Sequence, residues 1–206
     1  LLKRLKVNLI NLYMANNTKK KKFVFVGDLD SINLEIIFNS YQILKRTINY
    51  ILIGNMSEII KNKKYLKEKI NLNEVLDPIN FSDYDYKCLN VYNIENISNL
   101  KYKNILNQIK ISNHLSNHTK YDLITMPINK AIIKKNQRFI GMTEYLGKIN
   151  KKETIMLMKG ENFSIIPFTT HINPKNIYKY LKIKKINFFI KTVLSLINSK
   201  NYNLDR

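Results

Sequence analysis

The chain has 206 residues, of which 45% are hydrophobic and 11% aromatic, a composition typical of a globular protein with a buried core. Its formal net charge is +20, from 35 Lys and Arg against 15 Asp and Glu. The lysines are spread between Asn and Ile rather than collected on one helix, so we interpret them as solvated surface and expect no nucleic-acid partner. No apolar run reaches about 18 residues, so we expect no transmembrane helix and no membrane partner.

Residues 1–22 are predicted to be a basic extension of the fold, without stable structure of their own. Leu1 to Tyr13 is basic and apolar but has no small-residue cleavage site, and Met14 offers an alternative start. Cys88 is the only cysteine in the sequence. A lone thiol cannot form a disulfide framework, so a cytoplasmic location is expected.

Strands and helices alternate along the rest of the chain. Short apolar runs predict strands, and apolar residues spaced three or four apart predict helices. Residues 71–86 contain Pro78 and three Asp, so they are interpreted mostly as loop. The predicted strands are 23–26, 50–53, 89–92, 122–126, 154–158 and 164–168, and the predicted helices are 31–44, 57–69, 97–118, 129–135, 174–181 and 186–197.

This alternation predicts a layered α/β fold with a mostly parallel sheet, and residues 160–162 between two short strands add an antiparallel hairpin. Ser31 is predicted to cap the first helix. The strand 122–126 is predicted to be fully buried. Residues 23–206 then form one or more α/β domains, with a candidate boundary near Thr119. The expected apolar face of the first helix is Ile32, Ile36, Ile37, Tyr41 and Leu44.

Polar residues follow the predicted strands at several points in the second half of the chain. Asn129 and Lys130 follow one strand, and Thr169 to His171 follow another. In open α/β sheets, ligands bind beyond the carboxyl ends of strands. A lysine and two threonines suit a phosphorylated ligand, and an imidazole can bind a divalent cation.

Four motifs in this region together resemble the 4-hydroxythreonine-4-phosphate dehydrogenases of vitamin B6 synthesis. That family has Pro-Ile-Asn-Lys, then Phe-x-Gly-His-Thr-Glu, then Met-Met-Leu, then Thr-Thr-His, in this order. A weaker match lies at Gly27-Asp28, where the family has a glycine-rich turn. The matching segments here are Pro127 to Lys130, Phe139 to Glu144, Met156 to Met158, and Thr169 to His171.

The resemblance implies a fold like that of isocitrate and isopropylmalate dehydrogenases, and oxidation of 4-phosphohydroxy-L-threonine with NAD or NADP. It implies a divalent metal (zinc, magnesium or cobalt), with His171 as one of three histidine ligands. Thr143 matches a substrate-contacting threonine, and Lys130 is carried over as a substrate-binding residue. A homodimer is expected as in the family, or a second polypeptide that supplies the C-terminal part.

The chain departs from the family pattern in three ways. Met142 stands at the substrate-binding position where the family has histidine, and a thioether donates no hydrogen bond. Asp30, Ser31 and Asn33 replace small residues of the glycine-rich turn. The family also continues past the position of Arg206, with the other two metal histidines, so the chain resembles its N-terminal part and is expected to be truncated.

Two functions therefore stay open. One is a dehydrogenase that is complete only with a second polypeptide or in a longer parent form. The other is a non-catalytic degenerate remnant, or a binding protein for phosphorylated ligands. His114 and His118, four apart on a predicted helix, are interpreted as a solvated face rather than a metal site. Met156 and Met158 are interpreted as core residues.

Overall fold

The computed structural model describes residues 21–45, 48–63, 70–134, 139–160 and 163–198. The chain divides into two compact units: the first unit is Leu1–Gly141, and the second unit is Met142–Arg206. The division lies at residue 141, not near Thr119, because the strand after Thr119 pairs with the first strand of the chain. The predicted extension 1–22 lies outside the described residues except for Lys21 and Lys22.

The first unit is a parallel sheet with helices. Its strands are β1 (Lys22–Phe25), β2 (Tyr50–Gly54), β3 (Leu72–Glu74), β4 (Leu89–Asn93) and β5 (Asp122–Thr125). Their order across the sheet is β3-β4-β2-β1-β5, and every pair in it is parallel. Its helices are α1 (Asn33–Leu44), α2 (Met56–Lys63), α3 (Lys101–Thr119) and α4 (Lys130–Lys134).

Two apolar clusters pack in the first unit. β1 and β2 are nearly continuous apolar runs, as expected for parallel strands buried on both faces. Because side chains alternate along a strand, Val24 belongs to one cluster and Phe23 to the other. The first cluster contains the buried side of α1, whereas the second contains Leu115 of α3.

Two local predictions for the first helix are wrong. Ser31 is not the N-cap of α1; Ile32 holds that position. The buried apolar face of α1 is Leu34, Ile37, Phe38 and Tyr41, whereas Ile32 and Ile36 are 66% and 43% exposed. Residues 71–86 are mostly loop, as predicted, but they also contain a short strand, β3, which pairs with β4 although its partly polar sequence gives no apolar run.

β5 is also less buried than predicted. Ile124 is 45% exposed, and no residue of the strand is fully buried. Within the described residues, β5 pairs only with β1 and therefore forms one edge of the sheet. An edge strand leaves side chains uncovered that an internal strand would bury.

The second unit is smaller and more open. It contains α5 (Met142–Asn150), the antiparallel pair β6 (Met158–Lys159) and β7 (Ser164–Ile165), a 3₁₀ helix (Pro174–Lys179) and α6 (Ile183–Asn198). The predicted hairpin is confirmed with shorter strands, and its turn residues 161 and 162 lie outside the described residues. Of the residues described in this unit, only Gly147 is buried.

The fold class predicted from the sequence is confirmed: a mostly parallel sheet with helices and a small antiparallel hairpin. The segment 174–181 is a 3₁₀ helix rather than an α-helix, and the Asn173 side chain accepts a hydrogen bond from the Lys175 amide at its start (3.0 Å). No helix in the described part of the chain combines the length and the apolar character needed to cross a membrane.

Candidate functional site

Two motifs of the second unit meet at one cavity of about 420 Å³. Thr143 and Glu144 lie in the first turn of α5, and Thr170 lies in the segment after β7; all three line the cavity. The Nε2 atom of His171 lies 3.6 Å from Oε1 of Glu144. Thr143 and Thr170 thus line the same cavity, although they are 27 positions apart in sequence. The hairpin lies between them in the chain.

The charge around this cavity is mainly positive. Lys148, Lys151 and Lys152 line it, against the carboxylates of Glu144 and Glu153. Ammonium groups attract phosphate as point charges, and threonine hydroxyls donate hydrogen bonds to its oxygens. The lining therefore suits a small ligand that carries a phosphate group.

His171 has a left-handed backbone conformation, with φ of 55°. This region is uncommon for residues other than glycine, although histidine is among the residues that enter it more often. The side chain is half exposed, at 50%, and that of Glu144 is 30% exposed. The imidazole is therefore accessible to a ligand while the Glu144 carboxylate lies beside its Nε2 atom.

The donors for a divalent metal are incomplete among the described residues. His171 and Glu144 supply two donors, but catalytic metal sites use about three protein ligands. No group of three or more His, Cys, Asp or Glu side chains in the described ranges could hold a metal ion. These residues by themselves do not fit a complete metal site.

The three methionines of the matched motifs differ in their surroundings. Met142 is the first residue of α5 and is partly buried. Met156 lines the cavity, and Met158 is 49% exposed, so the prediction that Met156 and Met158 are core residues is wrong. The second unit buries too little surface to have a core at these positions.

Asn129 and Lys130 belong to the first unit, at the start of α4. The Asn129 side-chain oxygen accepts a hydrogen bond from the Ala131 amide at 3.0 Å, which caps the short helix. Lys130 is exposed at the first helical position. Asn129 therefore has a clear structural role, whereas Lys130 has its ammonium group open to solvent.

The turn between β1 and α1 is held by charged and polar side chains. Asp28 is only 6% exposed, and its carboxylate lies 2.7 Å from the Lys101 ammonium, which also pairs with Asp30. Burial alone would lower the pKa of Lys101, but the hydrogen bonds that its ammonium donates to the Asp28 and Asp30 carboxylates raise that pKa above its usual value. Lys101 is 71 residues from Asp30, and no sequence signal linked the two.

This turn does not fit the phosphates of a dinucleotide. Glycine-rich turns admit a phosphate by close backbone approach. Here the buried Asn33 side chain lies in the turn, and two carboxylates add negative charge beside it. A separate polar cavity of about 770 Å³ lies next to the turn, and Lys61, Lys101 and Gln108 are among its lining residues.

The rings of His114 and His118 stack on α3 with their centroids 6.4 Å apart. Both side chains are exposed. This agrees with their interpretation as a solvated helix face.

Comparison with known proteins identifies the family to which the chain belongs. The family model described as "Pyridoxal phosphate biosynthetic protein PdxA" matches residues 31–203. A 4-hydroxythreonine-4-phosphate dehydrogenase of Campylobacter fetus is 25% identical over 171 residues, covering 81% of this chain and 53% of that protein. One from Aquifex aeolicus is 25% identical over 187 residues, covering 85% of this chain and 58% of that protein.

Solved structures agree on the fold. The 4-hydroxythreonine-4-phosphate dehydrogenase of Klebsiella pneumoniae matches with a TM-score of 0.75 at 18% identity, covering 91% of this chain and 61% of that one. At this identity the likeness concerns the fold alone. The chain spans between half and two thirds of the length of the relatives it matches.

Proposed function

Because the chain belongs to the PdxA family of pyridoxal phosphate biosynthetic proteins, we propose that it contributes the substrate-binding part of a 4-hydroxythreonine-4-phosphate dehydrogenase. The relatives named above carry that activity in their names. The substrate of this chain would then be 4-phosphohydroxy-L-threonine, a phosphorylated hydroxy-amino acid.

The observation that carries this proposal is the shared cavity of Thr143, Glu144 and Thr170, with His171 beside Glu144. The phosphate of the substrate would be held by the lysines that line the cavity, with hydrogen bonds from the threonine hydroxyls. Hydrogen bonds to a charged group are each worth roughly 1.5–3 kcal/mol. Lys130 is proposed as a substrate-binding residue on the strength of its motif alone.

The chemistry at the alcohol would take place beside His171. In the charged state its imidazolium would pair with Glu144, and in the neutral state Nε2 would be available to a metal or to the substrate hydroxyl. A divalent metal (zinc, magnesium or cobalt), when bound, would polarise that hydroxyl. We keep His171 as one proposed ligand of this metal, with the other ligands supplied from outside the described residues.

We also propose a nicotinamide cofactor, an assembly and a compartment for this protein. NAD or NADP would accept the hydride, but the β1–α1 turn does not fit the cofactor's phosphates, so no described residue is assigned to it. A homodimer, or a second polypeptide that supplies the remaining part of the fold, would complete the site. We propose the cytoplasm as the compartment, in keeping with the lone thiol of Cys88.

The test is calorimetric titration of the 206-residue chain with 4-phosphohydroxy-L-threonine. Thr143→Val removes one hydroxyl at nearly constant volume, and we expect about ten-fold weaker binding. Thr192→Val is the matched control, because Thr192 lies in the same unit but does not line this cavity. If the wild-type chain did not bind, or if both variants bound like wild type, the proposal would be wrong.

A second candidate function is binding of phosphorylated ligands without catalysis. It is favoured by Met142, which stands where the family has histidine, and by the incomplete metal donors. Binding that is sensitive to Thr143→Val, together with no NAD reduction after a complementary C-terminal part is added, would support it. NAD reduction in that mixture would exclude it.

A further inference from the structure

The carboxamide of Asn33 makes an unusual set of contacts in the β1–α1 turn. Its Nδ2 atom lies 3.1 Å from the carbonyl oxygen of Val26, 3.1 Å from that of Asp28 and 2.8 Å from that of Pro127. All three neighbours are acceptors, so the atom facing them must be the amide nitrogen. The residue is 1% exposed, so water cannot substitute for these bonds without entering the core.

Beyond the paired strands β1 and β5, the Pro127 carbonyl joins the segment that follows β5 to the turn that follows β1. It accepts hydrogen bonds from both Asn33 Nδ2 and the Asp28 amide, the latter at 3.0 Å. Gly27 allows this approach, because a Cβ atom there would lie 2.4 Å from the same oxygen. The peptide that follows β5 is thereby held against the turn that follows β1.

This tie lies where the chain reverses its direction across the sheet. From β1 the chain moves to β2 on one side, and after β4 it returns to β5 on the other side of β1. Ligands of open α/β sheets bind at such a point, outside the carboxyl ends of the strands. In this chain the space between the two turns is filled by a protein side chain, Asn33.

We propose that Asn33 is a positioning residue that fixes the segment 127–130, and with it the start of α4. Asn129, which caps α4, and Lys130 are only two and three residues beyond the tied Pro127 carbonyl. The backbone that leads to Lys130 is thus held by a carboxamide 97 positions earlier in the sequence. The relevance for phosphate binding rests on the proposed function, but the positioning itself does not.

Hydrogen–deuterium exchange of the full chain, followed by mass spectrometry, tests this without any ligand. Asn33→Asp keeps the shape but places a carboxylate oxygen against three carbonyl oxygens, and Asn33→Gly introduces the residue of the family pattern. Asn90→Asp is the matched control, because Asn90 is also 1% exposed and donates to two carbonyls, those of Asp85 and Cys88. Losing a buried donor should raise local exchange by about ten-fold or more.

We expect both Asn33 variants to raise exchange in peptides covering 126–132 and to leave those covering 85–93 unchanged, with the opposite pattern for Asn90→Asp. Equal exchange in 126–132 for wild type and Asn33→Gly would overturn the proposal. So would unfolding of both Asn33 variants while Asn90→Asp stays folded, since Asn33 would then support the whole unit rather than this segment.

A titration of Asn33→Gly with 4-phosphohydroxy-L-threonine then separates the two proposals. If wild type binds, the variant should bind several-fold more weakly, and unchanged binding would show that the segment needs no positioning. If wild type does not bind, the proposed function fails, whereas the exchange result still decides the role of Asn33.

Discussion

Replacing Gly27 with alanine should destabilise the first unit strongly. Gly27 has φ of +71°, which costs a residue with a Cβ atom roughly 1–2 kcal/mol. The added atom would also lie 2.4 Å from the Pro127 oxygen and 2.9 Å from the Met126 oxygen, both of them backbone atoms that cannot rotate away. Breaking the Asp28–Pro127 hydrogen bond to relieve the contact costs about a further 1 kcal/mol.

The expected loss is therefore about 2–3 kcal/mol in the free energy of unfolding. Urea denaturation followed by circular dichroism measures it. Gly160→Ala is the control, because its Cβ atom would meet only one oxygen, that of Phe163, at 3.1 Å, and its φ is not in the left-handed region. A loss below about 1 kcal/mol for Gly27→Ala would refute the reasoning, since the turn would then relax easily around a methyl group.

Three further predictions concern the site and the pH dependence. Met142→His should strengthen binding of 4-phosphohydroxy-L-threonine about ten-fold, by a hydrogen bond to a charged ligand, and equal calorimetric heats for both proteins would contradict this. The 206-residue chain alone should not reduce NAD with this substrate, because its described residues supply two metal donors where a catalytic metal needs about three protein ligands. Turnover measured by NADH absorbance would contradict this. Burial raises the pKa of Tyr50 above its usual 10.0, so the folded state keeps this proton more firmly than the unfolded state. The free energy of unfolding should then keep its full Tyr50 contribution below pH 10 and fall as the pH rises further. Urea denaturation at several pH values should show a less steep fall for Tyr50→Phe, and equal slopes for the two proteins would contradict this.

The fold could be predicted from the sequence because parallel strands buried on both faces are plain apolar runs. Phe23 to Val26 and Tyr50 to Ile53 are of this kind, and they form the centre of the sheet. β3 was missed because its pairing with β4, not its own partly polar residues, makes it a strand. The burial of β5 was overestimated because an apolar run does not reveal whether a strand is internal or at an edge.

The candidate site was predictable only as a set of motifs. Thr143, Thr170 and His171 were identified from their resemblance to a family, and the structure brings Thr143 and Thr170 to one cavity. The roles of Lys130, Met142, Thr143 and His171 remain predictions. The partners of Asp28 and Pro127, namely Lys101 and Asn33, could not be predicted, because contacts between residues about 70 to 100 positions apart leave no local pattern.

The two units differ in how much they bury and in how many residues of the family motifs they contain. The first unit contains the buried core, yet its first turn has lost the glycine-rich pattern and is filled by side chains of its own. The second unit buries only Gly147 among its described residues, yet Thr143, Glu144, Thr170 and His171 all match the family there. An exposed or half-exposed side chain contributes little to packing, and His171 has a left-handed backbone conformation. Such residues are better explained by what they contact in a ligand than by what they stabilise in the fold, which supports the proposal of a substrate site in the second unit rather than at the β1–α1 turn of the first.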